Sequence, residues 1–280
     1  MIKTVHNDVW VFDVEWAPDP QAGRLLYHIS DDVSDKDVVF EMFRQNGATE
    51  DNPTPFLKPV LCKICSIVAL IRRVNNDATS FRLLSLPRDV ADSEYTILET
   101  FLGGVGRSKP QLVGYNSVNA DARILLQRAI VKGVAAASQF LTRPEKPWLG
   151  PDYFAKENDY HVDLYNLIQG WGSAGPSLHQ MTTLSGIPGK LDCDGQQVYS
   201  LALEGRIKDI VAYNECDVLS TYLLWLRCIY VSGHLTREQY KLEQQELKQL
   251  IIGEYQNGRG DHLMVFLEAW ESLQNKLGLD

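Results

Sequence analysis

The chain has 280 residues, 45% hydrophobic, 22% charged and 10% aromatic, enough apolar material for a substantial core, which excludes disordered and collagen-like readings. With 27 Lys and Arg against 36 Asp and Glu the net charge is −9, which argues against a protein that coats duplex DNA with cations; an enzyme acting on a nucleic-acid end needs only a few local cations and bound metal. The longest apolar run, Ile67 to Ile71, falls far short of the ~20 residues of a membrane-spanning helix, and Met1 to Asp8 carries no secretory or transit pattern, so the expectation is a cytoplasmic protein without a membrane partner.

Val9 to Val14 reads as a buried strand stopped by Pro18-Asp19-Pro20. An excursion of about forty residues follows, in which Ser34-Asp35-Lys36-Asp37 resembles a helix-opening box, Val38, Val39, Met42 and Phe43 fall at helical spacing, and Asn46-Gly47 closes the element. After the proline-rich loop Asp51 to Pro59, the spacing predicts strands over Leu61 to Ile71 and Phe81 to Leu86, joined by the turn Val74-Asn75-Asn76-Asp77. A helix over Asp92 to Leu102 is expected to end in the Gly-rich turn Gly103-Gly104-Val105-Gly106, leading to a strand over Gln111 to Tyr115, a helix over Ala120 to Ile130 and a short strand over Tyr160 to Leu164.

Everything after Ser177 reads as helical. The most regular stretch is Gly205 to Tyr230, where Ile207, Val211, Val218, Tyr222 and Trp225 share a face, and two further helices follow over Thr236 to Ile252 and His262 to Lys276. The order of strands and helices is that of an α/β fold, with a main domain over 1–235 and a helical extension over 236–280 packed on it. The five cysteines are scattered, and the lone Cys62-x-x-Cys65 has no second pair nearby to complete a zinc site.

Three clusters carry candidate chemistry. In Phe12-Asp13-Val14-Glu15-Trp16 two carboxylates at i and i+2 of a strand project to one face, where a hard cation such as Mg²⁺ or Mn²⁺ would relieve their repulsion; alone, the pair reads equally as two solvated acids at a strand end. In Gly114-Tyr115-Asn116-Ser117-Val118-Asn119-Ala120-Asp121 a strand turns into a helix, gathering polar groups at the carboxyl edge of the sheet; Asp121 also suits a helix first turn. In Tyr213-Asn214-Glu215-Cys216-Asp217 the hydroxyl of Tyr213 and the carboxylate of Asp217 stand one turn apart on one face of a helix.

Taken together and in this order, D-x-E, G-Y-N-x-x-N-x-D and Y-x-x-x-D resemble the three motifs of the DEDD 3′ to 5′ exonucleases, the tyrosine marking the DEDDy branch. The Gly-Tyr-Asn form is most similar to the proofreading domain of family B DNA polymerases. The run Ser185 to Lys190, with Asp194-Gly195, Gln197-Val198 and Tyr213 to Arg227, looks like the stand-alone bacterial group described as predicted 3′ to 5′ exonucleases related to that domain.

The resemblance spans roughly residues 8 to 235. It implies a ribonuclease H-like fold, a mixed five-stranded sheet flanked by helices, and two divalent cations, Mg²⁺ or Mn²⁺. By the same resemblance Asp13 would bridge both metals, Glu15 and Asp217 would complete the site that activates water, Asp121 would support the second metal, and Tyr213 would orient the water. The substrate implied is the 3′ end of single-stranded DNA, with nucleoside 5′-monophosphates as product and a DNA polymerase or repair protein as partner. Trp16, Tyr115, Asn116, Asn119 and Lys190 are the expected substrate contacts.

The chain departs from the polymerase pattern at Ala120, where an aromatic residue usually precedes the aspartate, and at Trp16, where many relatives carry a small hydroxylated residue; both point to an altered 3′-end pocket. Short RNA as substrate, and a nucleic-acid-binding or polymerase-accessory module without turnover, are the rival readings. Four convergent acids, costly without metal, speak against the second.

Overall fold

The computed structural model describes residues 2–76, 78–135, 138–146, 148–155, 159–169, 174–189 and 195–278. Its centre is strand β1 (Asp8–Pro18), whose Val, Trp and Phe side chains bury on both faces. β2 (Cys62–Asn75) runs antiparallel along the whole of β1, with one irregularity where Glu15 faces Ser66 but Trp16 faces Ile64, so that Cys65 is an extra residue. A bulge of this kind sharpens the local twist and is common beside functional sites. β3 (Ala78–Leu86) folds back on β2 as a hairpin, with Asn76 in the left-handed region at φ 48°.

On the other side β4 (Gln111–Gly114) pairs in parallel with β1, and β5 (His161–Asp163) in parallel with β4. The order β3-β2-β1-β4-β5, with β2 running against the rest, is a mixed ribonuclease H-like sheet, as the motifs led one to expect.

Eleven α-helices are present among the described residues: α1 (Pro20–Tyr27), α2 (Asp35–Gln45), α3 (Glu94–Ser108), α4 (Asp121–Lys132), α5 (Ser138–Leu141), α6 (Leu164–Ile168), α7 (Leu178–Leu184), α8 (Gly195–Leu203), α9 (Ile207–Val231), α10 (Arg237–Gln256) and α11 (His262–Leu277). α2 opens where the sequence predicts, Ser34 accepting the Asp37 N–H. α1 is an addition to the elements read from sequence: Asp19 caps it by accepting from the Gln21 N–H, with Pro20 in the first turn, so Asp-Pro both stops a strand and starts a helix.

Gly103-Gly104-Val105-Gly106 is not a turn but lies inside α3. A Cβ on Gly104 would come within 2.9 Å of the Trp10 ring, so the glycine lets the helix approach the sheet closely.

One face of the sheet packs Trp10, Phe12, Val14, Ile67 and Ala69 against Leu98, Phe101 and Leu102 of α3 and Ile124 and Leu125 of α4. The opposite face packs Val9, Val11, Val68 and Leu70 against α9, and the same cluster continues into Leu247 and Ile251 of α10 and Phe266 and Trp270 of α11. Burial of each such side chain contributes about 1.5–3 kcal/mol. Because α9 is covered on two sides, its buried set is wider than a single stripe: Val218, Tyr222 and Trp225 are buried as expected, Ile210, Leu219, Leu223 and Leu226 join them, and Ile207 and Val211 are half-buried. Arg72 of β2 and Glu243 of α10 form a buried ion pair, with the Tyr222 hydroxyl donating to Glu243 at 2.7 Å and the Arg72 guanidinium over the Trp225 ring.

Candidate active site

Val14 is buried in the layer of α3 and α4 along with Trp10 and Phe12. Strand alternation therefore turns Asp13 and Glu15 to the other face, the one on which Val9 and Val11 meet α9. The parallel register with β4 runs from Val9 to Val11, and β4 ends at Gly114 while β1 continues to Pro18. Past that point the Val14 N–H donates to Asp121 Oδ1 at 3.0 Å. Asp121, the first residue of α4 and 3% exposed, is thereby seated against the backbone between Asp13 and Glu15.

The turn that delivers Asp121 is tightly built. A Cβ on Gly114 would lie 2.5 Å from Ser117 Cβ and 3.3 Å from the Phe12 carbonyl oxygen, and Asn116 sits in the left-handed region at φ 59°. Asp163 at the end of β5 fixes this turn by accepting from the N–H groups of Asn116 at 2.8 Å and Val118 at 3.0 Å. Its neighbour His161 is buried between Ser117 Oγ, 2.9 Å away, and the Tyr153 carbonyl, 3.1 Å away. Both residues hold the loop.

Helix α9 supplies the third motif. Asn214, fully buried, points its Nδ2 at the Asp13 carbonyl (3.4 Å) and at Ser66 Oγ (3.3 Å), tying the helix to the backbone of the acid it faces. Tyr213, buried beside Ala17, Cys65 and Ile210, is hydrogen-bonded to Asp217 as one helical turn of separation requires.

Burial pushes the Asp13 carboxyl well above its ordinary value, and the carboxylates of Asp121, Glu15 and Asp217, together with a hydrogen bond to Glu15, push it further in the same direction. Asp121 is raised to about 7, because burial outweighs the backbone N–H groups that favour its anion, and Asp163 adds to the rise. Tyr213 is raised by burial and then by Asp217, Glu15 and Asp13, so it remains a protonated donor at neutral pH. The five predicted catalytic residues are thus brought into one electrostatic neighbourhood.

Among the described residues no three histidine, cysteine or acidic side chains already stand in coordination geometry. The acids fit a hard divalent cation in chemistry and charge: every donor is a carboxylate oxygen, and every neighbouring charge that raises Asp13 is another carboxylate.

The predicted substrate contacts are less uniform. Trp16 is half-buried against the core, and Asn119 is exposed, its Nδ2 3.4 Å from Asn116 Oδ1. Tyr115 is engaged internally: its ring meets the edge of Tyr165, its hydroxyl donates to the Pro176 carbonyl at 2.5 Å, and burial first, then Tyr165 and Asp163, pushes it up to about 12. Lys190 lies outside the described residues.

Asn214 and Asp163 were not singled out by sequence reasoning as parts of the site. The partners that explain them, Asp13 and Ser66 for Asn214 and the turn from Asn116 to Val118 for Asp163, are distant in the chain.

A comparison with curated proteins finds no match. Among solved structures, the family B DNA polymerase from the hyperthermophilic archaeon Pyrobaculum calidifontis is 17% identical with a TM-score of 0.49, over 80% of this chain and 25% of that one, so the chain spans about a quarter of the polymerase's length. A family profile described as "predicted 3′-5′ exonuclease related to the exonuclease domain of PolB" matches residues 54–270, which contain Asp121, Tyr213 and Asp217 but not β1. That match covers well over half of the chain, and the chain belongs to this family of predicted 3′ to 5′ exonucleases.

Proposed function

We propose that the protein is a metal-dependent exonuclease that hydrolyses phosphodiester bonds from the 3′ end of single-stranded DNA and releases nucleoside 5′-monophosphates. The observation that carries this reading is the convergence of Asp13, Glu15, Asp121 and Asp217 beside Tyr213 where the central strand outruns its parallel neighbour. A solvated acidic surface would not place Asp121 at 3% exposure or bury the hydroxyl of Tyr213 among carboxylates.

Asp13, Glu15 and Asp217 would hold one divalent cation and Asp121, with Asp13, would support a second. Bound there, Mg²⁺ or Mn²⁺ supplies a lowered pKa for the attacking water and charge compensation for the oxygens of an in-line displacement. The chain's own contributions are distinct from this. Asn214 and the Val14 to Asp121 hydrogen bond fix the acids relative to one another, and the protonated Tyr213 hydroxyl orients the attacking water. Trp16, half-buried next to Glu15, offers a face on which a terminal base could stack. Asn116 and Asn119 lie on the turn leading to Asp121, and Tyr115 supports that turn from behind. A DNA polymerase or repair assembly is the partner class to test.

The experiment is a 5′-labelled single-stranded DNA oligonucleotide incubated with protein and Mn²⁺ or Mg²⁺, beside an EDTA control, the Asp13→Ala protein and a matched RNA. A ladder shortening from the 3′ end, absent in both controls, is the expected result. Cleavage of RNA alone moves the substrate to short RNA; an intact oligonucleotide that shifts on a native gel overturns the enzyme in favour of a binding module.

A further inference from the structure

The polar residues of α9 divide between two faces. At about 100° per residue, Glu215 lies about 200° round the helix from Tyr213, on the side away from β1. There it meets the end of β3 and the turn between α10 and α11. The residue is 1% exposed, and both carboxylate oxygens are occupied: Oε1 accepts from Ser85 Oγ at 2.5 Å and Arg259 Nη1 at 2.8 Å, and Oε2 is 2.6 Å from His262 Nε2. Arg259 is fixed in turn by Glu254 at 2.6 Å, by Ser85 Oγ at 2.9 Å and by the Leu83 carbonyl at 3.3 Å.

Elsewhere this flank of α9 is not backed by close packing. A cavity of about 730 Å³ lies beside Ile207, Val211 and Ala212, walled by the Pro87–Val90 segment after β3 and by Gly258, and the cluster around Glu215 closes its inner end. The polar contact at Glu215 therefore takes the place that side-chain packing takes further along the helix, where Val218, Tyr222 and Trp225 are buried. Such a contact fixes rotation as well as distance, because three donors, Ser85 from β3 and Arg259 and His262 from the α10–α11 turn, must all be met. The magnitude matters here. With side-chain tips about 5–6 Å from the axis, a rotation of about 20° moves them by about 2 Å, and a misplacement of about 1 Å can cost on the order of 100-fold in rate.

We propose that Glu215, Arg259 and His262 form a clamp by which the α10–α11 turn sets the rotation of α9, and with it the approach of Tyr213 and Asp217 to Asp13 and Glu15. These are positioning residues. Their consequence for metal binding rests on the nuclease reading above, whereas the fixing of α9 itself does not.

The test uses the full chain carrying Glu215→Gln, Arg259→Lys, His262→Ala or His262→Gln, with Glu243→Gln as a comparator that loosens α10 at its other anchor. Two readouts are taken beside thermal melting: Mn²⁺ binding, followed by the paramagnetic resonance of free Mn²⁺, and amide exchange over residues 212–218. Glu215→Gln, Arg259→Lys and His262→Ala are expected to weaken Mn²⁺ binding about 10-fold and to speed exchange over 212–218. His262→Gln, which keeps an amide donor near the Nε2 position, is expected to recover most of both; Glu243→Gln is expected to lower the melting temperature without either change.

Wild-type Mn²⁺ affinity and exchange in the clamp variants would overturn the proposal, as would equal effects from Glu243→Gln. If Glu215→Gln does not fold, the two His262 variants decide. If the unaltered protein neither binds Mn²⁺ nor cleaves DNA, the nuclease reading falls, and the exchange readout alone upholds or overturns the clamp.

Discussion

Asp13 and Asp19 lie six residues apart on one stretch of chain, and each meets helix α4, but at opposite ends of it. Asp19 meets Arg128, whose guanidinium, 1% exposed, also donates to Glu94 at 2.6 and 2.7 Å and reaches Asp19 at 2.9 Å, with Lys132 standing 3.3 Å from Glu94. Asp13 meets carboxylates: Asp121 from the start of α4, Glu15 from its own strand and Asp217 from α9. Where the fold supplies its own cation, the buried acid is architecture. Where it gathers acid against acid, burial and mutual repulsion push Asp13 and Asp121 toward the protonated form, and on the function proposed above a bound cation would relieve that cost.

The sharpest way to break this contrast is Asp13→Ala. Loss of a metal ligand forfeits several kcal/mol of transition-state stabilisation, about 1000-fold at 1.36 kcal/mol per tenfold, and should abolish the 3′ ladder while the far-ultraviolet circular dichroism is kept; full activity would show that the acid cluster is not a site. On the other side of the contrast, Arg128→Met leaves Asp19 and Glu94 buried without their guanidinium. It should cost about 3–5 kcal/mol of stability in chemical denaturation, and a loss under about 1 kcal/mol would mean that the two regions do not differ as argued.

Tyr213→Phe removes one hydrogen bond, about 1–2 kcal/mol, and should slow cleavage about tenfold with little change in stability, read from single-turnover rates. A fourth test concerns pH. Asp121 titrates at about 7 in the folded chain against an ordinary 3.8, so the folded state holds a proton that the unfolded state has lost. Its contribution to stability is neutral below about 3.8, becomes unfavourable between about 3.8 and about 7, and is fully unfavourable above. In EDTA the melting temperature of Asp121→Asn relative to the unaltered protein should therefore climb through that window; parallel curves would remove Asp121 from the cluster.

Much of this was legible in the sequence because the deciding interactions are local. Ser34 caps α2 through a residue three positions on, Asn76 turns the hairpin, and Tyr213 and Asp217 are one helical turn apart. The order of the strands and the presence of three motifs followed from such signals. The remainder depends on groups far apart in the chain. Asp121 is seated by the N–H of Val14, 107 residues away, and Glu215 by Ser85 and His262, 130 and 47 residues away. Gly103 to Gly106 read as a turn because their composition is that of a turn, yet close approach of α3 to Trp10 overrides propensity. Tyr115 reads in the sequence as a substrate contact, and its engagement with Tyr165 and Pro176 depends on residues 50 and 61 positions downstream.

The extra residue at Cys65 also changes how β2 tolerates alteration in length. On one side of it the odd-numbered Ile67, Ala69 and Ile71 enter the α3 and α4 layer; on the other the even-numbered Cys62 and Ile64 do so, so the strand changes parity within a single element. Deleting Cys65 would restore an unbroken ladder in which Ile64 still faces Trp16 and Cys62 still faces Pro18, so both, 3% and 4% exposed, keep their places in that layer, whereas a deletion within either regular segment would swing side chains to the opposite face. A one-residue deletion at the bulge therefore straightens the strand without exchanging its faces, a far smaller perturbation than a one-residue deletion among Ile67 to Ile71.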